Sequence, residues 1–145
     1  RLFDKAVLHY LIPVIRWIDD KQQGRERKKV VVSIETLMDS FLNPLSSMHK
    51  AYEMLIEKYD VYFIVPALTS DLQQGVEAQQ WIGKYINAPA WNRVILSNNP
   101  EMLYADYLIT SKKCPDFLGT VIDFGSDDFK TWESVITFFD RLGGQ

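Results

Sequence analysis

The fold is decided by a short run of β-branched residues, Lys-Val-Val-Val-Ser at Lys29–Ser33. Its three consecutive valines form an uninterrupted apolar run, which is typical of a strand buried on both faces of a parallel sheet. Similar stretches follow at Val61–Val65, Arg93–Ser97, Asp106–Thr110 and Thr120–Phe124. The sequence therefore predicts a sheet of five strands, with the valine run as the first.

The segments between these strands have the apolar spacing of helices instead. Apolar residues recur three and four positions apart from Met48 to Ile56, from Val76 to Tyr85 and from Phe129 to Leu142. Alternation of strands and helices is the signature of a parallel sheet with crossover helices. We therefore predict a three-layer, Rossmann-like α/β domain with a parallel five-stranded sheet over residues 29–145.

Residues 1–28 form a separate segment before the first strand. Its apolar residues at helical spacing predict an amphipathic helical arm over residues 1–23: Phe3, Val7, Tyr10, Val14 and Trp17. We expect Pro13 to kink or restart this helix, and residues 25–28 to be a basic linker. The arm is expected to pack on the sheet or on an upstream domain, and a less favoured alternative is that it covers part of the ligand site.

Composition excludes several classes of protein. The chain has 145 residues and a net charge of −3, which argues against a dedicated nucleic-acid binder. The apolar run Val7–Ile18 is too short to span a bilayer. A single cysteine, Cys114, and two histidines indicate a reducing, cytoplasmic setting without a zinc site. We interpret Cys114 as a packing or surface residue in preference to a reactive thiol.

Ligands of open parallel sheets bind beyond the carboxyl ends of the strands, where the strand order reverses. Applied to the predicted strands, this rule gives a set of candidate ligand-binding residues: Ser33, Glu35, Thr36, Thr69, Ser70, Thr110, Ser111 and Lys112. Glu35 is the acid that follows the first strand. A single carboxylate among hydroxyls is a poor magnesium site, because hard cations favour several oxygen ligands including charged ones.

Several stretches together carry a resemblance to a known family. They lie at residues 58–64 (Lys-Tyr-Asp-Val-Tyr-Phe-Ile), 81–85 (Trp-Ile-Gly-Lys-Tyr), 106–109, 124–126 and 132–133. In order and spacing they resemble the bacterial 5'(3')-deoxyribonucleotidase branch of the haloacid dehalogenase superfamily, over roughly residues 29–142. The resemblance implies the parallel α/β fold already predicted, and a phosphatase ancestry.

The resemblance also implies that the catalytic motifs are degenerate. The family has Asp-x-Asp after its first strand, where this chain has Ser33 at the nucleophile position and Glu35 at the acid/base position. A further set of positions departs from the family pattern: Val65 replaces the phosphate-binding hydroxyl, Pro100 the lysine, and Thr110 and Ser111 the magnesium-binding Asp pair. The helical cap that the family inserts after the first motif is reduced or absent, since Phe41 runs almost directly into Leu42-Asn43-Pro44.

Three hypotheses about function follow. The first is a catalytically inactive nucleotidase-like domain that acts as a scaffold or interaction module. The second is a sensor that binds a nucleotide or phosphate without turnover. The third is a divergent 5'-nucleotidase that recruits Glu35, Asp39 or Asp106 for hydrolysis.

Each hypothesis carries expectations about partners and cofactors. We expect no cofactor, with Mg²⁺ required only if the hydrolase hypothesis holds. The expected partner is a protein, either an upstream domain or another copy that contacts residues 1–23, and neither nucleic acid nor a membrane. The chain begins at Arg1, so we expect it to derive from a longer polypeptide.

Overall fold

The computed structural model describes residues 5–24, 26–67, 70–86 and 90–143. Within these residues the chain forms a parallel five-stranded sheet in the order β3-β2-β1-β4-β5. The strands are β1 (Lys29–Ser33), β2 (Asp60–Val65), β3 (Val94–Leu96), β4 (Tyr107–Thr110) and β5 (Thr120–Asp123). The prediction of a Rossmann-like α/β domain is confirmed, with strand ends that differ from the predicted ones by at most one residue.

The valine run lies at the centre of this sheet. β1 pairs with β2 on one side, Val31 opposite Tyr62, and with β4 on the other, Val31 opposite Leu108. Val30, Val31 and Val32 are each at most 3% exposed. Burial of both faces of a strand is what an unbroken apolar run requires, because alternation with polar residues would place polar groups in the core.

The helices are α1 (Lys5–Gln22), α2 (Met48–Lys58), α3 (Leu72–Tyr85) and α4 (Trp132–Gly143). All four contribute side chains to one core cluster, which includes Trp17, Leu55, Ile82 and Val135. The other face of the sheet carries a smaller cluster, in which Phe117 packs on Val31, Ile64 and Leu108. The third layer of the predicted sandwich is therefore formed by the strand connections that contain Leu103 and Phe117, and not by α-helices.

The arm forms one helix against the end of α2. Pro13 lies inside α1, so the predicted restart of the helix at Pro13 is wrong. Trp17 is buried, and its Nε1 donates a hydrogen bond to the carbonyl oxygen of Ile56 at 3.1 Å. Ile56 precedes the amino end of β2, so this contact places α1 at the edge of the sheet opposite the carboxyl ends of the strands. The alternative in which the arm covers the ligand site is therefore wrong for the described part of the arm.

The segment between β1 and α2 is short. A 3-10 helix, Ile34–Thr36, follows β1 directly, and a loop with a bridge between Met38 and Pro44 leads to α2. This segment, which the structure describes completely, contains no inserted helical cap. None of the helices in the described ranges is long and apolar enough to cross a membrane.

Candidate functional site at the carboxyl ends of the strands

The site lies where the strand order reverses. The chain runs outward from β1 to β2 and β3, then returns to the other side of β1 to form β4 and β5. Ser33 at the end of β1 and Thr110 at the end of β4 therefore face the same crevice. This is the position at which open α/β sheets bind ligands.

Glu35 bridges the two strands at this point. Its Oε1 accepts hydrogen bonds from Thr110 Oγ1 at 3.2 Å, from Ser111 Oγ at 3.0 Å and from Ser111 N at 3.2 Å. The 3-10 helix after β1 turns the Glu35 side chain towards β4, and the last residue of β4, Thr110, and the next residue, Ser111, supply the three donors. One carboxylate oxygen is thus held by groups that only donate to it.

The predicted site residues near Glu35 have different environments. Ser33 is 7% exposed and lines a cavity of about 600 Å³ beyond the strand ends. Thr36 is 1% exposed, and its hydroxyl donates to the carbonyl oxygen of Ser33 at 2.7 Å. The one hydroxyl proton of Thr36 is therefore used inside the core, and contact of Thr36 with a ligand stays a prediction.

The other predicted residues divide into three groups. Pro100, Thr110 and Lys112 line the 600 Å³ cavity, which we call the first cavity. Val65 is buried and lines an adjoining second cavity of about 450 Å³. Ser70 is exposed in the turn before α3 and is not among the residues that line either cavity, and Thr69 lies outside the described residues.

Of the acids considered for a hydrolase, Asp106 is remote from the site. It lies before the amino end of β4, and its Oδ2 accepts a hydrogen bond from Lys29 N at 2.8 Å. The parallel strands place these residues at the opposite edge of the sheet from Glu35. The prediction of Asp106 as a recruited catalytic acid is therefore wrong.

Asp39, the remaining acid, organises the loop after the 3-10 helix. Its Oδ1 accepts hydrogen bonds from Phe41 N at 2.8 Å and from Asn43 N at 2.9 Å. The Asn43 hydrogen bond is the main reason that the pKa of Asp39 lies below its usual range. Asp39 lines the second cavity, as a fixed negative charge at its edge.

The sequence did not single out several residues that line the two cavities. Gln74, Glu77, Ala78 and Trp81 lie on one face of α3, at positions i, i+3, i+4 and i+7. The apolar spacing from Val76 to Tyr85 predicts the helix, but it does not indicate that one face of the helix lines the cavities. Because α3 begins soon after the carboxyl end of β2, its first turns project over the site.

The connections after β2 and β3 are joined beside the first cavity. The side chain of Asn98 accepts a hydrogen bond from Ala67 N at 2.9 Å and donates one to the carbonyl oxygen of Ala67 at 3.0 Å. The amide group thereby pairs with both backbone groups of one residue, as a neighbouring strand would. This pairing fixes one wall of the cavity.

The donor set does not fit Mg²⁺. Between β1 and β4 it consists of one carboxylate, on Glu35, and the hydroxyls of Ser33, Thr110 and Ser111, whereas Mg²⁺ requires near-octahedral oxygen ligands. Across the described ranges no group of three or more His, Cys, Asp or Glu side chains is arranged to hold a metal ion.

Cys114 lies in the wall of the first cavity, half-buried against the smaller core cluster. Burial, and then the negative charges of Glu101 and Asp116, raise the pKa of the Cys114 thiol. A raised pKa lowers the thiolate fraction at neutral pH, and the thiolate is the reactive form. These features support the interpretation of Cys114 as a packing residue.

We predict that iodoacetamide alkylates Cys114 slowly at pH 8 and that Glu101→Gln increases the rate. Removal of one nearby negative charge lowers the thiol pKa, so the rate should rise by about twofold to threefold. The rate is followed by mass spectrometry against pH. Asp140→Asn, on the exposed side of α4, is the matched control. Rates of Glu101→Gln and the original protein should converge above the thiol pKa, and a constant ratio at all pH values would show a change of access and contradict the electrostatic cause.

Comparison with known proteins gives one informative relative. No family model matches the chain. A protein of Vibrio phage KVP40, provisionally named a 5'(3')-deoxyribonucleotidase, is 29% identical over 100 residues, which cover 67% of this chain. The matched region spans 59% of the length of that protein. This chain is therefore similar to a protein that carries a deoxyribonucleotidase name, and the two match over part of their lengths.

Proposed function

We propose that this domain does not hydrolyse phosphate esters and acts as a non-catalytic module that binds a partner protein. One observation carries the proposal: the oxygen of Glu35 that faces β4 is held by three donors from Thr110 and Ser111. In the family that the sequence resembles, the carboxyl end of the fourth strand carries carboxylates that hold magnesium. Here Thr110 and Ser111 at the same place donate hydrogen bonds to the remaining acid, Glu35.

The end of β1 supports the proposal for a second reason. Ser33 stands at the position of the family's nucleophilic Asp, and a serine hydroxyl needs a neighbouring base to attack phosphorus. The imidazole of His49 lies elsewhere, with its Nε2 2.8 Å from the carbonyl oxygen of Tyr85. Among the described residues no histidine lines the first cavity. A nucleophile, its base and the charge that stabilises phosphoryl transfer are all needed together.

An exposed apolar face on α1 supports the role in binding. While Trp17 is buried, Ile12, Ile15 and Ile18 are 46%, 62% and 53% exposed. They recur every three residues along the described part of the helix. Neighbouring exposed isoleucines form the kind of patch that often marks an interface. Contact of a partner with residues 1–23 remains a prediction.

A second candidate function is binding of a phosphate or nucleotide without turnover. Lys112 and Lys113 line the first cavity together with hydroxyls of Ser33 and Thr110. Neither lysine forms an ion pair within the part of the chain that the structure describes. The name of the phage relative favours this candidate. Titration calorimetry with deoxynucleoside monophosphates tests this second function. If no heat of binding is measured at millimolar ligand concentrations, the function is excluded.

We predict no magnesium-dependent release of phosphate from deoxynucleoside monophosphates or p-nitrophenyl phosphate. Any background rate should be the same in the original protein and in Glu35→Gln, because a contaminating phosphatase does not depend on Glu35. The measurement is release of inorganic phosphate by purified protein with and without Mg²⁺. Turnover that requires Mg²⁺ and disappears in Glu35→Gln would refute the proposal and favour the divergent hydrolase.

A further inference from the structure

The two cavities adjoin each other at the carboxyl ends of the strands. Glu35, Pro66, Gln74 and Lys112 line both of them, so the cavities share a wall. We call their union the strand-end cleft. It runs from the connection after β4, across the end of β1, to the first turns of α3.

One half of the strand-end cleft has an apolar floor. Met38, Leu42, Val65, Ala78 and Trp81 line the second cavity. Trp81 Nε1 donates to the carbonyl oxygen of Leu42 at 2.7 Å, which holds the loop after the 3-10 helix against α3. The same loop is braced by the two hydrogen bonds to Asp39. The floor is therefore preformed, and a ligand does not have to order it.

The walls of the strand-end cleft are predominantly acidic. Its described lining residues include five carboxylates and two lysines: Glu35, Asp39, Glu77, Glu101 and Asp116 against Lys112 and Lys113. A phosphate anion would have to approach this excess of negative charge. A cation is attracted by this negative charge. If the cation is carried on an apolar stem, as in Arg or Lys, the stem can also pack on the floor of the second cavity.

We infer that the strand-end cleft binds a basic segment of a partner protein, in which an Arg or Lys stands beside an apolar residue. The apolar side chain lies on the floor formed by Met38, Val65 and Trp81, and the cationic heads lie at Glu77 on one side and at Asp116 on the other. Charge complementarity selects this occupant over an acidic or neutral peptide. The inference rests on the proposed function, since an interaction module needs a surface that recognises its partner.

The first experiment uses a defined probe, the peptide Gly-Arg-Leu-Arg-Gly, which is titrated into ¹⁵N-labelled protein. We expect shifts of the Trp81 indole N–H and of the Glu77 and Lys112 amides, and little change at the exposed Trp91 indole. Gly-Glu-Leu-Glu-Gly and Gly-Arg-Ser-Arg-Gly are the matched peptides without the charge and without the apolar side chain. Each should bind about fivefold more weakly or worse. Equal binding of the acidic peptide would overturn the inference.

The second experiment reverses single charges in the strand-end cleft by substitution. Glu77→Lys and Asp116→Lys should each weaken binding of Gly-Arg-Leu-Arg-Gly by about fivefold. Asp140→Lys makes the same change of net charge on α4, outside the cleft. All three positions are exposed, so the variants should fold, and their spectra verify this. An equal loss in Asp140→Lys would show only general electrostatic attraction and would overturn the inference.

Three further outcomes separate the inference from the proposed function. If inorganic phosphate shifts the Ser111 and Lys112 amides at lower concentration than the peptide does, the cleft is an anion site and the inference fails. If the peptide does not bind and magnesium-dependent turnover is also absent, the inference fails while the lack of catalysis stands. Turnover that depends on Glu35 would instead refute the proposed function, whatever the peptide does.

Discussion

Gly119→Ala should lower the free energy of unfolding by about 3 kcal/mol, because an added methyl group overpacks the start of β5. A Cβ at Gly119 would lie 2.4 Å from the carbonyl oxygen of Ala105 and 2.6 Å from that of Asp106. These atoms are backbone, so they can move only if the strand connection moves. Thr120 N donates to the same Asp106 carbonyl at 2.8 Å, which means that the shift also disturbs the hydrogen bond between the residue before β4 and the start of β5.

Gly83→Ala is the matched control for this substitution. A Cβ at Gly83 has no atom within 4 Å among the described residues, and Gly83 lies in α3. Alanine should therefore stabilise the protein by about 0.5 kcal/mol, since glycine loses more backbone entropy in a helix. Urea unfolding followed by circular dichroism measures both variants. Equal stability of Gly119→Ala and Gly83→Ala would contradict the close approach of β5 to the residues before β4.

Trp132→Ala should lower the free energy of unfolding by about 4 kcal/mol, within the range for truncation of a buried aromatic residue. Trp132 is 2% exposed, its ring lies 5.1 Å from that of Phe124, and its Nε1 donates to the carbonyl oxygen of Thr36 at 2.7 Å. This hydrogen bond ties α4 to the 3-10 helix that carries Glu35. Loss of the indole therefore leaves a cavity and loosens the support of the site.

Trp132→Phe separates the two contributions. It keeps an aromatic ring beside Phe124 and removes the hydrogen bond, so we expect a loss of about 1 to 2 kcal/mol. Trp91→Ala is the control for removal of an indole from the surface, because Trp91 is 64% exposed, and its effect should stay within about 0.5 kcal/mol. Thermal unfolding measures all three variants. A loss in Trp91→Ala as large as that in Trp132→Ala would contradict the packing of α4.

The strands were the most predictable part of the fold. The run at Lys29–Ser33 was predicted with the bounds that the structure has, because three consecutive β-branched residues favour a strand. The start of α4 was less predictable. Apolar spacing favoured Phe129, but Gly125 N donates to the Phe129 carbonyl at 2.7 Å, so residues 125–129 form a turn and the helix begins at Trp132.

The candidate site was predictable only as a location. The residues at the strand ends followed from the strands themselves, and Ser33, Thr110 and Lys112 indeed line the first cavity. The orientation of side chains did not follow. Thr36 and Glu35 are neighbours in a 3-10 helix. The hydroxyl of Thr36 is nevertheless buried, whereas the carboxylate of Glu35 reaches β4.

The sequence by itself determined the parallel α/β fold, the burial of the valine run on both faces of the sheet and the identity of the residues at the strand ends. Those properties depend on periodicity and β-branching, which act over a few neighbouring positions. Only the tertiary structure decided that Glu35 is held by Thr110 and Ser111, that α3 lines the cleft, and that one face of the sheet is covered without helices. Residues 35 and 110 meet because β1 and β4 pair across the switch point, and no local pattern specifies how the connections between distant strands pack once they are formed.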